Sequence, residues 1–331
     1  MEGILVKVQL PRVQIAHLPT PIDPLPRLSA ALKGSQIWIK RDDQTGLAFG
    51  GNKTRKLEYL LADARAHGAK VLITRGAVQS NHCRQTAAAA AKSGFECILV
   101  LSGSVPSRIE GNLLLDQLLG AEIVWTEDKD PEQMLESTYS QAWEAGRRPY
   151  LIPYGGSNAT GASAYVAAIC ELVAQDMKFD RIVFASSSGG TQAGMIVGVK
   201  ALELATHISG ISVDKPSDDL QPIILNLAHQ ISELLRLNLD FDADEVDVDD
   251  RYLGGGYAVI GEIEREAIEL FASTEGILLD PVYTGRAAAG MIDRIRREEF
   301  GVEEHILFWH TGGTPALFAY SEELSGRSAA I

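Results

Sequence analysis

The chain has 331 residues, enough for about two domains with a sizeable core, which excludes a small disulfide scaffold and a lone binding module. Hydrophobic residues make up 46% and charged residues 22%, shares typical of a folded globular protein and not of a disordered one. With 30 basic against 44 acidic side chains the net charge is −14, which disfavours nucleic acid and anionic membrane surfaces as partners.

From about residue 36 onward, short β-branched or aromatic runs alternate with longer amphipathic stretches, the pattern of parallel strands joined by crossover helices. An α/β fold with open, twisted parallel sheets is expected. Strands are expected over residues 36–40, 71–75, 97–101, 122–126, 181–185 and 305–309. The clearest helix follows Asn52, a good N-cap, and sets Leu57, Leu60, Leu61 and Ala64 on one face before Gly68 ends it. A first α/β block is expected to end near Pro149, with the Gly-rich segment 154–161 crossing into a second. The acidic run 240–250 fails as a calcium loop, because Glu245 stands where the turn glycine belongs and Arg251 where the closing glutamate belongs. It reads as a solvated acidic loop.

Cys83, Cys97 and Cys170 lack metal-ligand spacing and read as buried, reduced thiols. Trp38, Trp125, Trp143 and Trp309 read as core, and His17, His67, His207, His229 and His305 form no ligand pattern, so no metal is expected. No apolar run approaches the roughly 20 residues of a spanning helix, and no signal-like segment opens the chain. A cytoplasmic setting is expected.

Five segments combine glycine with polar side chains at strand ends, where open α/β sheets place their ligands. They are Gly50-Gly51-Asn52-Lys53-Thr54-Arg55-Lys56, Gln79-Ser80-Asn81-His82, Ser186-Ser187-Ser188-Gly189-Gly190-Thr191, Asp280-Pro281-Val282-Tyr283-Thr284-Gly285 and His310-Thr311-Gly312-Gly313-Thr314. The third follows a strand and precedes a helix, so its N–H groups and hydroxyls form an anion cup suited to phosphate. It is neither a P-loop nor a dinucleotide fingerprint, which disfavours a nicotinamide dehydrogenase.

Lys53 lies at a glycine-flanked helix start, where the dipole and the neighbouring Arg55 and Lys56 would favour its neutral amine. A neutral amine can form a Schiff base, and Lys56, one turn on, can neutralise a phosphate. A lysine together with a phosphate cup points to pyridoxal phosphate.

Gly-Gly-Asn-Lys-Thr-Arg-Lys-Leu-Glu (50–58), Gln-Ser-Asn-His (79–82) and Asp-Pro-Val-Tyr-Thr-Gly (280–285) resemble segments of the D-cysteine desulfhydrase and 1-aminocyclopropane-1-carboxylate deaminase family, in order over residues 11 to about 320. The resemblance implies a tryptophan synthase β-like fold of two α/β domains. Residues 1–55 plus 160–331 would form the larger, residues 56–159 the smaller, with the cofactor between them and a homodimer as the assembly. It further implies that Lys53 is the Schiff-base lysine and that Asn81 holds the cofactor's ring hydroxyl. Lys56, Ser187, Ser188, Gly189, Gly190 and Thr191 would hold its phosphate. Ser80 would lie near the substrate carboxylate and the proton-transfer path, with Tyr257 and Tyr283 facing a small amino-acid substrate.

Two of the matched positions distinguish the branches. The deaminase branch carries glutamine where this chain has His82, and glutamate beside the pyridine nitrogen where it has Thr284. A hydroxyl from Thr284 or Thr311 would leave the ring neutral, a weaker electron sink suited to rapid loss of a good leaving group. The expected activity is α,β-elimination of D-cysteine to pyruvate, hydrogen sulfide and ammonia, with His82 orienting Ser80 or Tyr257. The alternatives are 1-aminocyclopropane-1-carboxylate deamination, L-cysteate sulfo-lyase activity, and a catalytically silent cofactor-binding protein.

Overall fold

The computed structural model of the chain describes residues 8–325. Ten strands occur among these residues: β1 (Ile22–Pro24), β2 (Gln36–Arg41), β3 (Val71–Gly76), β4 (Glu96–Leu101), β5 (Glu122–Trp125), β6 (Pro149–Leu151), β7 (Arg181–Ser186), β8 (His207–Ser212), β9 (Asp247–Asp249) and β10 (His305–His310). The helices are α1 (Pro26–Leu32), α2 (Asn52–Ala66), α3 (Asn81–Ser93), α4 (Gly111–Leu118), α5 (Pro131–Glu144), α6 (Ala159–Ala174), α7 (Gly190–Ala201), α8 (Ser217–Leu235), α9 (Glu262–Glu275), α10 (Thr284–Arg296) and α11 (Ser321–Leu324).

Two sheets organise these elements, one in the order β1-β2-β10-β7-β8-β9 and one in the order β5-β4-β3-β6. Every pairing is parallel except β1 against β2. Parallel sheets are covered on both faces, and the side chains alternate accordingly. On β10, Leu307 and Trp309 pack with α6, α7 and α8 through Tyr165, Ile169, Met195 and Ile224. Ile306 and Phe308 point the other way, onto Leu28 of α1, Phe271 of α9 and Met291 of α10. In the smaller sheet Leu72, Leu99 and Leu101 meet α2, α3 and α4 through Leu57, Ala87 and Leu113, while Ile73, Ile98 and Val100 meet Leu135 and Ala142 of α5.

All six expected strands are present, each differing by one residue at one end. Four were not anticipated. β8 reads as polar in sequence, yet Ser209, Gly210 and Ser212 are buried in mid-sheet, and a Cβ at Gly210 would lie 2.2 Å from Oε1 of Gln192. The reading of 240–250 as a solvated loop holds for Asp240, Asp242, Asp244 and Glu245, which are exposed, and is corrected by β9 at its end, where Asp249 is buried and paired with Arg251 and Asp247 contacts His207 and Ser209. Solvent accommodates the first part of that acidic run, and Arg251 and His207 accommodate its end. Trp143 corrects another expectation, being 63% exposed and stacked on Tyr139, whereas Trp309 is fully buried. The α2 cap is also different: Gly51 occupies it with no side-chain bond, and Asn52 is the first helical residue.

Both sheets have a point where the strand order changes direction. In the larger sheet it lies between β10 and β7, in the smaller between β3 and β6. Crevices open at such points beyond the carboxyl ends of the strands, and the four loops leaving these four strands meet in one cleft.

Candidate active site

The cleft is lined by residues following β3 (Ser80, Asn81, His82), β6 (Tyr154, Gly155), β7 (Ser187, Ser188, Gly189, Thr191) and β10 (Thr311), together with Asn52, Lys53 and Tyr283. Lys53, Ser80, Asn81, His82, Tyr283, Thr311 and four residues of the Ser/Gly turn thus come together from five segments spread along the chain. Of the other residues singled out in the sequence, Lys56, Gly190, Tyr257 and Thr284 stand behind this lining.

The start of α2 fixes Lys53. The N–H of Asn52 donates to the carbonyl of Thr311 at 2.9 Å, and its Nδ2 lies 3.2 Å from Oγ1 of Thr191, so the helix is tied to both β10 and the Ser/Gly turn. The Lys53 ammonium is pushed down to about 8 by burial, with the Asp214 carboxylate pulling the other way. Arg55 does not produce that shift, contrary to the sequence reading. Its guanidinium is turned away onto Asp42 and Glu171 at 2.8 Å each.

The Ser/Gly turn is a cup. Gly189 adopts a left-handed φ of +78° and caps α7, and a Cβ on Gly190 would lie 2.5 Å from Oγ of Ser157 and 2.8 Å from its Cβ. The first-turn N–H groups of α7, which a helix leaves without intrahelical partners, face the same end. Ser187 donates to Asp214 at 2.9 Å, and Ser188 and Ser157 share a hydrogen bond of 2.8 Å. Lys56 donates to the carbonyl of Gly155 and to Ser157 Oγ, both at 3.1 Å. It therefore reaches the cup through Ser157, and burial and the neighbouring Lys53 hold its ammonium well below the ordinary lysine range.

On the opposite wall Ser80 caps α3, its Oγ accepting from the N–H of Cys83 at 3.2 Å. His82 Nε2 lies 2.9 Å from Thr74 Oγ1, which donates to the carbonyl of Ile152 at 2.9 Å. A hydroxyl has one proton, so only the tautomer with hydrogen on Nε2 satisfies both contacts. Nδ1 is then a bare acceptor with no partner among the described residues. Burial, with Lys53 and Lys56, depresses the imidazole well below its ordinary value, so it is neutral. Tyr283 Oη is 2.7 Å from Tyr257 Oη, and burial raises both phenols.

Thr284 is buried and committed. Its hydroxyl donates to Asp280 Oδ1 at 2.7 Å and accepts from the Asp280 N–H at 2.8 Å. Of the two threonines expected beside the ring nitrogen, Thr311 alone lines the cleft, and among the described residues its hydroxyl is not taken by Asp280. Asp280 also accepts from the N–H groups of Val282, Tyr283 and Thr284.

Sequence reading did not single out Asn52, Tyr154, Gly155 or Asp214 as site residues. Asn52 reads in sequence as a cap, and Tyr154 and Gly155 as the crossing between two α/β blocks. The Arg75 guanidinium sits 4.7 Å from the Tyr154 ring centroid, a contact between distant segments that no local pattern signals.

An amine of lowered basicity, a glycine-built anion cup with no room for a Cβ, and an asparagine amide on the facing wall together fit pyridoxal phosphate. The "Pyridoxal-phosphate dependent enzyme" family matches residues 13–312. The structure of an ACC deaminase homologue superimposes with a TM-score of 0.90 at 40% identity, covering 97% of each chain. A pyridoxal 5'-phosphate-dependent aspartate racemase shares the fold at a TM-score of 0.65 and 16% identity, over 89% of this chain and 90% of its own. The architecture is the α/β, tryptophan synthase β-like one, and the chain belongs to the pyridoxal-phosphate dependent enzyme family, with pyridoxal 5'-phosphate as its cofactor.

Proposed function

We propose that this enzyme is a carbon-sulfur lyase that converts D-cysteine and water to pyruvate, hydrogen sulfide and ammonia. Lys53 would hold the aldehyde carbon, the turn 187–191 with Lys56 behind it would hold the phosphate, and Asn81 would meet the ring hydroxyl. The cofactor, once bound, supplies the sink for the electron pair released when the substrate's α C–H bond breaks. Lys53 Nζ, freed when the substrate's amine takes its place on the aldehyde carbon, would be the base that takes this proton at close range, its lowered basicity suiting it to near-neutral pH. Ser80 and the Asn81 wall orient the substrate carboxylate. The Tyr257–Tyr283 pair, both phenols kept protonated by burial, donates toward the departing sulfur.

One observation carries the choice of reaction. The hydroxyl available on the ring-nitrogen side belongs to Thr311, and the carboxyl bonded to Thr284 already accepts four hydrogen bonds from residues 282–284. That wall offers no carboxylate to keep a pyridine nitrogen protonated, which favours expulsion of a good leaving group over opening of a cyclopropane ring.

The second reading is 1-aminocyclopropane-1-carboxylate deamination, favoured by the 40% identical ACC deaminase homologue. Purified protein assayed with D-cysteine, L-cysteate and 1-aminocyclopropane-1-carboxylate decides between them. The proposal expects sulfide and pyruvate from D-cysteine to form fastest. A faster release of 2-oxobutanoate from the cyclopropane substrate, or of sulfite from L-cysteate, overturns it. Borohydride reduction and peptide mapping should leave the pyridoxyl group on Lys53, and Lys53→Ala should lose both the adduct and turnover.

A further inference from the structure

Behind the cleft wall, Asn112 of α4 is fully buried and its amide nitrogen makes two hydrogen bonds, to the carbonyl of Gln79 at 3.0 Å and to Oδ1 of Asn81 at 3.1 Å. The orientation of an amide is ordinarily ambiguous, but here it is fixed. A backbone carbonyl can only accept, so the atom facing Gln79 must be the NH2 group, and its second proton then requires that Asn81 present oxygen to it. The Asn81 NH2 group is left on the other side, toward the cleft that Asn81 lines. Two further bonds hold Asn112 in place: its own N–H donates to Gln79 Oε1 at 2.8 Å, and Gln79 Nε2 donates to the carbonyl of Glu110 at 3.1 Å. Gly111 makes this approach feasible, since a Cβ there would lie 2.4 Å from Gln79 Oε1.

The geometry points to Asn112 as the positioning residue that turns the Asn81 amide so that it donates into the cleft. This rests on the reading in which Lys53 and Asn81 hold the cofactor's aldehyde and ring oxygen. A donor at the ring oxygen stabilises its anion. That anion is least compensated when the nitrogen joined to Lys53 carries no proton, so the donor lowers the pH at which that nitrogen deprotonates. Asn112→Asp reverses the arrangement. Whether ionised or protonated, the new carboxyl has at most one proton, and once that proton serves Gln79 a lone pair faces Asn81, drawing its NH2 group out of the cleft.

The test is a pH titration of the visible absorbance of the protein loaded with pyridoxal phosphate, in wild type, Asn112→Asp, Asn81→Leu and the double variant. In Asn112→Asp the midpoint should rise by about one pH unit and the affinity for pyridoxal phosphate should fall about tenfold, the scale of one hydrogen bond to a charged group. In the Asn81→Leu background the substitution at 112 should no longer move the midpoint. An unchanged midpoint in Asn112→Asp, or an equal shift in both backgrounds, overturns the inference while leaving the role of Lys53 intact. A wild-type band that does not move with pH overturns this inference alone, whereas a borohydride adduct elsewhere than Lys53 overturns the Lys53 reading and this inference together. Should Asn112→Asp fail to fold, Asn112→Leu supplies the same comparison, because it removes the donor without adding charge.

Discussion

Arg286 and Glu264 form an ion pair of 2.8 Å with each side chain only 1% exposed. Three of the four remaining guanidinium protons go to the carbonyls of Val213, Gly256 and Val259, so this single side chain, two residues after Thr284, anchors the loop on which Tyr257 stands. Arg286→Leu leaves a buried carboxylate held only by the Gly261 N–H and takes the donor from the carbonyls of Val213 and Val259, and should cost about 3–5 kcal/mol, read as a lower denaturation midpoint. Glu264→Gln keeps an acceptor and should cost less. In Glu264→Gln, kcat should fall through displacement of Tyr257 while the cofactor's absorbance persists.

Tyr283 lines the cleft and Tyr257 reaches it only through the 2.7 Å contact between their hydroxyls. Tyr283→Phe should therefore lower kcat by about 10²-fold or more, within the range for a proton-donating group. Tyr257→Phe should lower it by about tenfold, because it removes only the bond that aims Tyr283. The visible band of the bound cofactor, unchanged in both variants, distinguishes this from loss of binding.

Burial places the Lys53 ammonium at about 8, so the neutral amine needed to capture an aldehyde is scarce below that pH. After removal of pyridoxal phosphate, its recapture should accelerate about tenfold per pH unit up to about 8 and then level off. Stopped-flow absorbance at several pH values checks this. Asp214→Asn removes the carboxylate that opposes the shift, and should move the break to lower pH.

Asp116 of α4 is fully buried, neither carboxylate oxygen has a partner among the described residues, and its pKa is pushed up to about 8 by burial against the pull of Arg84. The unfolded chain releases this proton near the ordinary value of 3.8, so between these two pH values the native state holds more protons than the unfolded one. Stability from this group is complete below the unfolded value and is lost as pH rises through the folded one. Asp116→Asn should remove that loss, so urea unfolding should show it gaining on wild type between pH 5 and 8, by on the order of 2 kcal/mol.

Much of the cleft was legible because its parts are short, local and chemically marked. Glycines next to Ser187 and Lys53 announce backbone that approaches a ligand, and the strands preceding them are apolar runs. What was not legible depends on contacts between distant segments. Asn112 sits within an ordinary amphipathic helix, and only the packing of α4 on α3 gives its amide a role. Thr284 reads in sequence as a ring-nitrogen partner, but Asp280, four residues away, takes its proton. β8 and β9 escaped notice because serine, glycine and aspartate mark strands poorly. Gln192, His207 and Arg294, which accommodate them, come from elsewhere in the fold.

The bond from Asn52 to Thr311, with β2 lying beside β10, also constrains the order in which the molecule can be assembled during synthesis. The four strands of the smaller sheet are contiguous in the chain and can close as soon as they have emerged from the ribosome. β2, made early, must wait for a neighbour made some 270 residues later. Such long-range closure is slow. The amine proposed to capture the vitamin is thus held in place only at the final step of folding, so a truncated or stalled chain, even one with its smaller sheet formed, should remain colourless.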